Sequence, residues 1–293
     1  MSIGVPTYDR PGLLRHALEC ILAQSHRNLE IIVSDNASPG DETERVVREL
    51  AARDPRIRYH RQPSNLGPLA NFRTVLEMAR GEYFAWVADD DACHPNFLRE
   101  LLRPLQADAG VALAMSDFVM VYADHSVDIQ LTPLRIEEVE RAWPRVRRRF
   151  FAYPSSHILF SIYGLFRTEM LRRCRLSSPS RWKGIIYASE IPLLAQLTLQ
   201  GKIVSIPQTL KTYVVHDGSA YLRERKKIGR IDRIYRDVEQ RIALSRIALR
   251  SGLPWTERVS LAVYPWISAV LRRLVPSPAQ PVPLQETVAG RPT

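Results

Sequence analysis

The 293-residue sequence predicts an α/β fold built on a parallel, doubly wound sheet. Two observations carry this. Strand-like and helix-like segments alternate four times in about one hundred residues. Two of the strand-like runs end on acids, Asp35 and the run Asp89-Asp90-Asp91. In such sheets the ligand crevice lies outside the carboxyl ends of the strands, so these acids point to one crevice. The composition agrees, since 45% hydrophobic and 25% charged residues exclude a disordered, collagenous or coiled-coil chain.

The elements follow in order. Residues 3–5 are a short apolar start, read as a first strand ending at Pro6. Leu13, Leu14, Ala17, Leu18, Ile21 and Leu22 give residues 10–24 a helical face, with Pro11 in its first turn. Residues 29–33 read as a second strand running into Ser34-Asp35-Asn36, and Val46, Val47 and Leu50 mark a second helix. Residues 57–60 are a third strand, and Leu69, Phe72, Val75, Leu76 and Ala79 form a third helical stripe closed by Gly81. Residues 83–88 are a strand leading into the three aspartates; its Tyr83, Phe84 and Trp86 are assigned to the core. Residues 95–105 are helical again.

Beyond residue 110 the pattern changes. Residues 111–122 read as a long strand, 123–150 as irregular, and 157–166 as another strand. A helix over 191–199 is stopped by Gly201, and 203–206 and 210–215 read as two short strands. Residues 221–250 form a very basic helix and 255–275 an apolar-rich one interrupted by Pro265. The last eighteen residues, with Pro276, Pro278, Pro281 and Pro283 near their start, read as a disordered tail.

The net charge of +10 is unevenly spread. Residues 1–140 hold 14 basic and 22 acidic residues, a net of −8, whereas 141–293 hold 27 and 9, a net of +18. An acidic half suits a bound cation; a basic half suits phosphates, a membrane or nucleic acid. Cys20, Cys93 and Cys174 are too few and scattered for a disulfide framework or a CxxC metal site, so a reduced, cytoplasmic chain is expected. No apolar stretch reaches the ~18 residues of a transmembrane helix. The first residues lack the basic and apolar regions of a secretory signal.

Three consecutive aspartates repel one another unless something neutralises them. A divalent cation does so, and oxygen-only ligands favour Mg²⁺ or Mn²⁺. A nucleotide diphosphate would complete the shell and gain a Lewis acid for its departing phosphate. The plainer alternative is a solvated acidic turn that caps the next helix at Asn96.

Taken together, the motifs resemble family 2 glycosyltransferases of bacterial type. The matching residues are Val5-Pro6-Thr7-Tyr8-Asp9-Arg10, then Glu30 to Ser38, then Asn65-Leu66-Gly67 with Asn71. Gly81-Glu82-Tyr83 follows, leading to Ala88-Asp89-Asp90-Asp91 with Pro95 four residues on. Downstream stand Glu190 with Leu193 and Leu194, Gly201-Lys202, Ile206-Pro207 and Tyr213-Val214-Val215-His216 with Ser219. The likeness covers roughly residues 2–220.

The resemblance implies a GT-A fold, the Rossmann-like mixed sheet of nucleotide-diphospho-sugar transferases, flanked by helices. It implies a catalytic domain over 1–220, with a nucleotide-binding half (1–110) and an acceptor half (111–220). A helical extension (221–275) and a tail (276–293) would follow. The implied activity is inverting transfer of a sugar from a nucleotide-sugar donor to a glycan or lipid-linked acceptor. Pro6, Thr7 and Tyr8 would border the nucleotide base, and Asp35 would hydrogen-bond the base or ribose. Asn65 and Gly67 would complete the donor site. Asp91 would be the direct metal ligand, Asp89 or Asp90 would hold the ribose or a metal-bound water, and His216 would reach the metal or diphosphate. Glu190 falls at the catalytic base. The chain departs from the family pattern in two places. Ser189-Glu190 stands where Glu-Asp is commoner, and Val214-Val215 replaces the usual Arg near His216.

In the basic half, Arg223, Arg225, Lys226, Lys227, Arg230, Arg233 and Arg236 line one helix, with Ile228, Ile231, Ile234 and Val238 expected as its buried stripe. Leu261, Tyr264, Trp266, Ile267, Val270 and Leu271 have the composition of an interfacial helix. Clustered cations attract anionic lipid, so peripheral attachment to the inner face of the membrane is expected. The alternative is packing on the catalytic domain or a homodimer. A nucleotidyltransferase would need a Gly-rich, basic loop after its first strand, and residues 6–10 are not one. A nucleic-acid partner is not expected, because no binding motif with exposed interleaved aromatics is present.

Overall fold

The computed structural model describes residues 1–122, 124, 126–130, 135–151, 160–176, 190–215 and 229–274. His216, the basic run 221–228 and the proline-rich tail lie outside them. The strands are β1 (Ser2–Thr7), β2 (Glu30–Asp35), β3 (Ile57–Arg61), β4 (Tyr83–Trp86), β5 (Ala92–Cys93), β6 (Val111–Tyr122), β7 (Val127–Gln130), β8 (Leu165–Arg167) and β9 (Lys202–Val215). The first helices are α1 (Pro11–Leu22), α2 (Glu42–Ala51), α3 (Pro68–Met78), α4 (Phe97–Ala107) and α5 (Ile136–Phe151). Four more follow: α6 (Thr168–Arg172), α7 (Glu190–Thr198), α8 (Arg230–Leu249) and α9 (Trp255–Leu274).

The strands form one sheet in the order β3-β2-β1-β4-β8-β6-β9-β5, with β7 paired to β6. β1, β2, β3 and β4 run parallel. β8 is antiparallel to both β4 and β6, and β5 is antiparallel to β9. The sheet is therefore mixed; alternation alone had predicted a wholly parallel one. Local pattern cannot tell that β8 reverses, because a three-residue strand is too short to carry a signal.

Four boundaries differ from the sequence reading. Pro6 does not end β1, whose pairing with β2 runs on to Thr7↔Asp35. Gly4 O accepts from Val87 N on the β4 side and Thr7 O accepts from Asn36 N on the β2 side. Alternation thus turns Pro6 toward β4, which ends at Trp86, so no ladder donor is missed. Part of 123–150 is a helix, α5, whose Val139, Val146 and Phe150 are buried. Its internal Pro144 and its arginines hide the apolar face. Residues 160–163 form a 3₁₀ turn, leaving only β8 as strand. Residues 203–206 and 210–215 belong to one strand, β9, whose pairing with β6 shifts register at Ser116 and Asp117 to absorb Pro207 and its neighbours.

The aromatics assigned to the core sit there. Trp86 meets Phe84 and Phe166 edge-on at 4.9 and 5.4 Å, and its indole N–H donates to Phe72 O. A second cluster of Phe151, Ile191, Ala195, Leu244, Ala248, Leu261 and Ala262 seats α8 and α9 against α5 and α7. Of the expected buried stripe of α8, the described Ile231, Ile234 and Val238 are not buried; Ile228 lies outside the described residues. Ile231 is 66% exposed, and Ile234, Tyr235 and Val238 are exposed with it, because the first turns of α8 project beyond this cluster.

Candidate active site

The site is built at the carboxyl ends of β1, β2, β3 and β4. Asn71, buried on α3, ties two of these ends together. Its Nδ2 donates to Thr7 O (3.3 Å) and Ser34 O (2.8 Å), and its Oδ1 accepts from Ser34 Oγ (2.6 Å). The chain enters α3 through Gly67, whose φ of 83° is a conformation that only glycine adopts freely. Asn65 Oδ1 accepts from Gly67 N and from Asn36 Nδ2, while Asn36 Oδ1 accepts from Leu66 N. The 65–67 loop is thereby pinned to the end of β2.

Asp35 is 0% exposed. Its carboxylate accepts from Ser38 N and Oγ and from Tyr59 Oη (2.8 Å), with Arg61 at 3.6 Å. Burial and this carboxylate push the Tyr59 phenol above its ordinary range. Asp35 therefore organises Ser38, Tyr59 and Arg61 around the crevice, with both of its own oxygens occupied. Tyr8, just past β1, stays exposed.

The acid run is not left to repel itself. Thr7 Oγ1 donates to Asp89 Oδ2 (2.7 Å), and Arg10 Nη1 reaches Asp89 Oδ1 (3.1 Å) and Asp90 Oδ2 (2.9 Å). Lys211 Nζ on β9 lies 3.5 Å from Asp91 Oδ2. Burial pushes the Asp89 carboxyl up despite Arg10. Burial also raises Asp91, to about 7, against the pull of Lys211. The sequence reading missed both cations. Arg10 spans 79 residues to the acids. A signal for Lys211 existed in strand parity, since 211 shares a face with Tyr213 and Val215, both buried.

Glu190 opens α7. Burial holds its carboxyl above the ordinary range. Its charge and that of Asp91 both bear on the Tyr163 phenol, which burial first and these acids next push up. Both Glu190 and the acid run thus lie within electrostatic reach of the Tyr163 hydroxyl. His216 lies outside the described residues.

The donor set fits a divalent cation in a limited way. Asp91 Oδ2 is buried without a hydrogen-bond partner, facing only the Lys211 ammonium at 3.5 Å. Among the described residues no group of three or more His, Cys, Asp or Glu forms a cage. The chain would supply one or two carboxylate oxygens, leaving the remaining positions to phosphate and water, a common arrangement for Mg²⁺.

Residues 2–175 match the profile described as "Glycosyl transferase family 2". The chain belongs to this family. A relative of this transferase is the GalNAc(5)-diNAcBac-PP-undecaprenol beta-1,3-glucosyltransferase of Campylobacter jejuni, 38% identical over 113 residues, which is 38% of this chain and 36% of that one. The chain spans between 13% and 39% of the length of the first curated relatives it matches. Among solved structures, S. aureus TarS 1-349 in complex with UDP-GlcNAc superposes with a TM-score of 0.68 at 15% identity, over 93% of this chain and 73% of that one. The mannosyltransferase PcManGT of Pyrobaculum calidifontis, in complex with GDP-Man and Mn2+, gives 0.54 at 16% identity, over 94% and 87%. These likenesses show the GT-A fold.

Proposed function

We propose that this glycosyltransferase moves a sugar, with inversion, from a nucleotide-sugar donor to a hydroxyl of a glycan or lipid-linked acceptor. One observation carries the reading: at the end of β4 a buried acid run is held by Thr7 and Arg10, with Asp91 Oδ2 left without a hydrogen-bond partner. Tyr8 borders the base, the Asp35 cluster shapes its pocket, and Asp89 to Asp91 sit at the sugar-diphosphate. Glu190 accepts the acceptor hydroxyl's proton as the new C1–O bond forms opposite the breaking bond to the diphosphate. Burial suits Glu190 to this role, because a raised carboxyl is a stronger base. Asp91, with Asp89 beside it, would hold a divalent cation, which when bound neutralises the departing diphosphate. The PP-undecaprenol in the Campylobacter relative's name supports a lipid-linked acceptor. The exposed apolar stripes of α8 and α9 support attachment to an anionic membrane surface, where such an acceptor resides.

Thermal melts with a panel of nucleotide sugars test the reading, each with Mn²⁺ and with chelator. One donor should raise Tm by several degrees with metal, and Asp91→Ala should abolish the shift. No stabilising donor, or a shift that Asp91→Ala leaves intact, would refute it.

A further inference from the structure

Among the described residues Lys211 is the only buried lysine, its side chain 2% exposed against 5% for Asp91. Its ammonium lies over three rings, Tyr163 at 4.5 Å, Tyr213 at 5.2 Å and Phe97 at 5.7 Å from the centroids. Neither Lys211 Nζ nor Asp91 Oδ2 has a hydrogen-bond partner, so the pair is held by charge alone. The backbone fixes it. Cys93 pairs with Lys211 across β5 and β9, and His94 N donates to Leu210 O, which clamps the segment following the acids onto β9. A lysine this buried is costly, and Asp91 offsets that cost. The oxygen open to a divalent cation is thus the one that already faces a fixed monovalent cation.

We propose that Lys211 is the resident counter-ion of Asp91 and holds down the acid run's affinity for a free divalent cation, so that Mg²⁺ or Mn²⁺ enters together with the donor's diphosphate. A cation bound alone at Asp91 meets an immobile ammonium in a poorly solvated site, where repulsion is screened weakly. Diphosphate brings negative charge that offsets this repulsion and supplies further oxygen ligands. Arg10 on Asp89 and Asp90 works in the same direction. The dication is repelled by Lys211 twice as strongly as a proton is, so removing Lys211 favours metal even though it also favours protonation of Asp91. The part concerning diphosphate rests on the sugar-transfer reading; the part concerning free metal does not.

The test is Mn²⁺ titration of the full chain at pH 8, followed by the electron paramagnetic resonance of free Mn²⁺. Lys211→Met and Lys211→Gln should each bind Mn²⁺ alone at least ~10-fold more tightly than wild type. A purely structural role for Lys211 would not tighten metal binding. The proposal is overturned if a folded variant binds no more tightly, or if the wild type alone already binds Mn²⁺ as tightly as those variants should. Should neither variant fold, the wild type decides: with UDP or GDP its Mn²⁺ binding must tighten by a similar factor, and an unchanged affinity overturns the proposal. Donors that never stabilise the protein, beside variants that do bind Mn²⁺ more tightly, would refute the sugar-transfer reading and leave Lys211's role standing.

Discussion

In the proposed reaction Glu190 is the residue on which the chemistry turns. Replacing it by Gln keeps shape and hydrogen bonding but removes the proton acceptor. Glu190→Gln should retain the donor-induced thermal shift and lose roughly 10²-fold or more in transfer rate. Because burial raises its carboxyl, the acid limb of the wild-type pH–rate profile should lie above the ordinary carboxylate value of 4.5. A base must be ionised, so the rate falls as pH drops through that raised value. Full turnover by the Gln variant would move the role elsewhere. Much of this site was legible in the sequence, since acids at strand ends are a local signal and Asp35, Asp89 and Asp91 carry it. Their partners were not. Arg10 and Lys211 meet the acids only through contacts 79 and 120 residues away in the chain, and no local pattern encodes which distant cation closes a pair.

The elements divide in the same way. Helices α1, α2 and α3 and strands β1, β2 and β3 were read to within a few residues, because each couples a clear period to a turn signal. Helix α5 was missed because an internal proline and a dense run of arginines outweigh its apolar positions. Helix α8 was located but its facing was inverted. An amphipathic stripe tells which residues share a face, not whether a neighbour covers it. That uncovered face carries a prediction. Ile231, Ile234, Tyr235 and Val238 on α8 and Val263, Trp266, Ile267 and Val270 on α9 follow helical spacing and are all exposed. Ser245 Oγ donates to Ala262 O and Arg241 Nη1 to Pro265 O, so the two helices run antiparallel and side by side. Among the described residues no helix is long and apolar enough to cross a membrane. Wild-type protein should pellet with anionic vesicles, and a Val263→Ser, Ile267→Ser, Val270→Ser triple variant several-fold less, with its melting unchanged. Equal pelleting would sink the idea, and a wild-type dimer dissolved by the same changes would assign the face to a second copy.

At the scale of the molecule, the end of the sheet opposite the site is fastened by one carboxylate. Glu30 Oε1 accepts from Ser2 Oγ and Arg80 N, both at 2.6 Å, and its Oε2 accepts from Arg58 Nη1 at 2.7 Å. Burial pushes this carboxyl up, but the three donors pull harder and hold it below its ordinary 4.5. A lowered folded value stabilises the protein above the unfolded one, and the contribution is lost as pH falls through the folded value. Glu30→Gln should therefore cost about 1–3 kcal/mol in urea unfolding at pH 7, with the gap narrowing as the pH falls below 4.5. A gap of constant size at both ends would contradict this account. The two-residue strand β5 has a different kind of consequence. It belongs by sequence to the first 110 residues, yet its one neighbour is β9, on the far side of the sheet. A chimera joined near residue 110, where the sequence pattern changes, would graft a foreign β9 beside a native β5 and misalign the acids that follow β4. Swaps meant to trade acceptor preference between relatives should keep everything through β9 from one parent and place their junction after it.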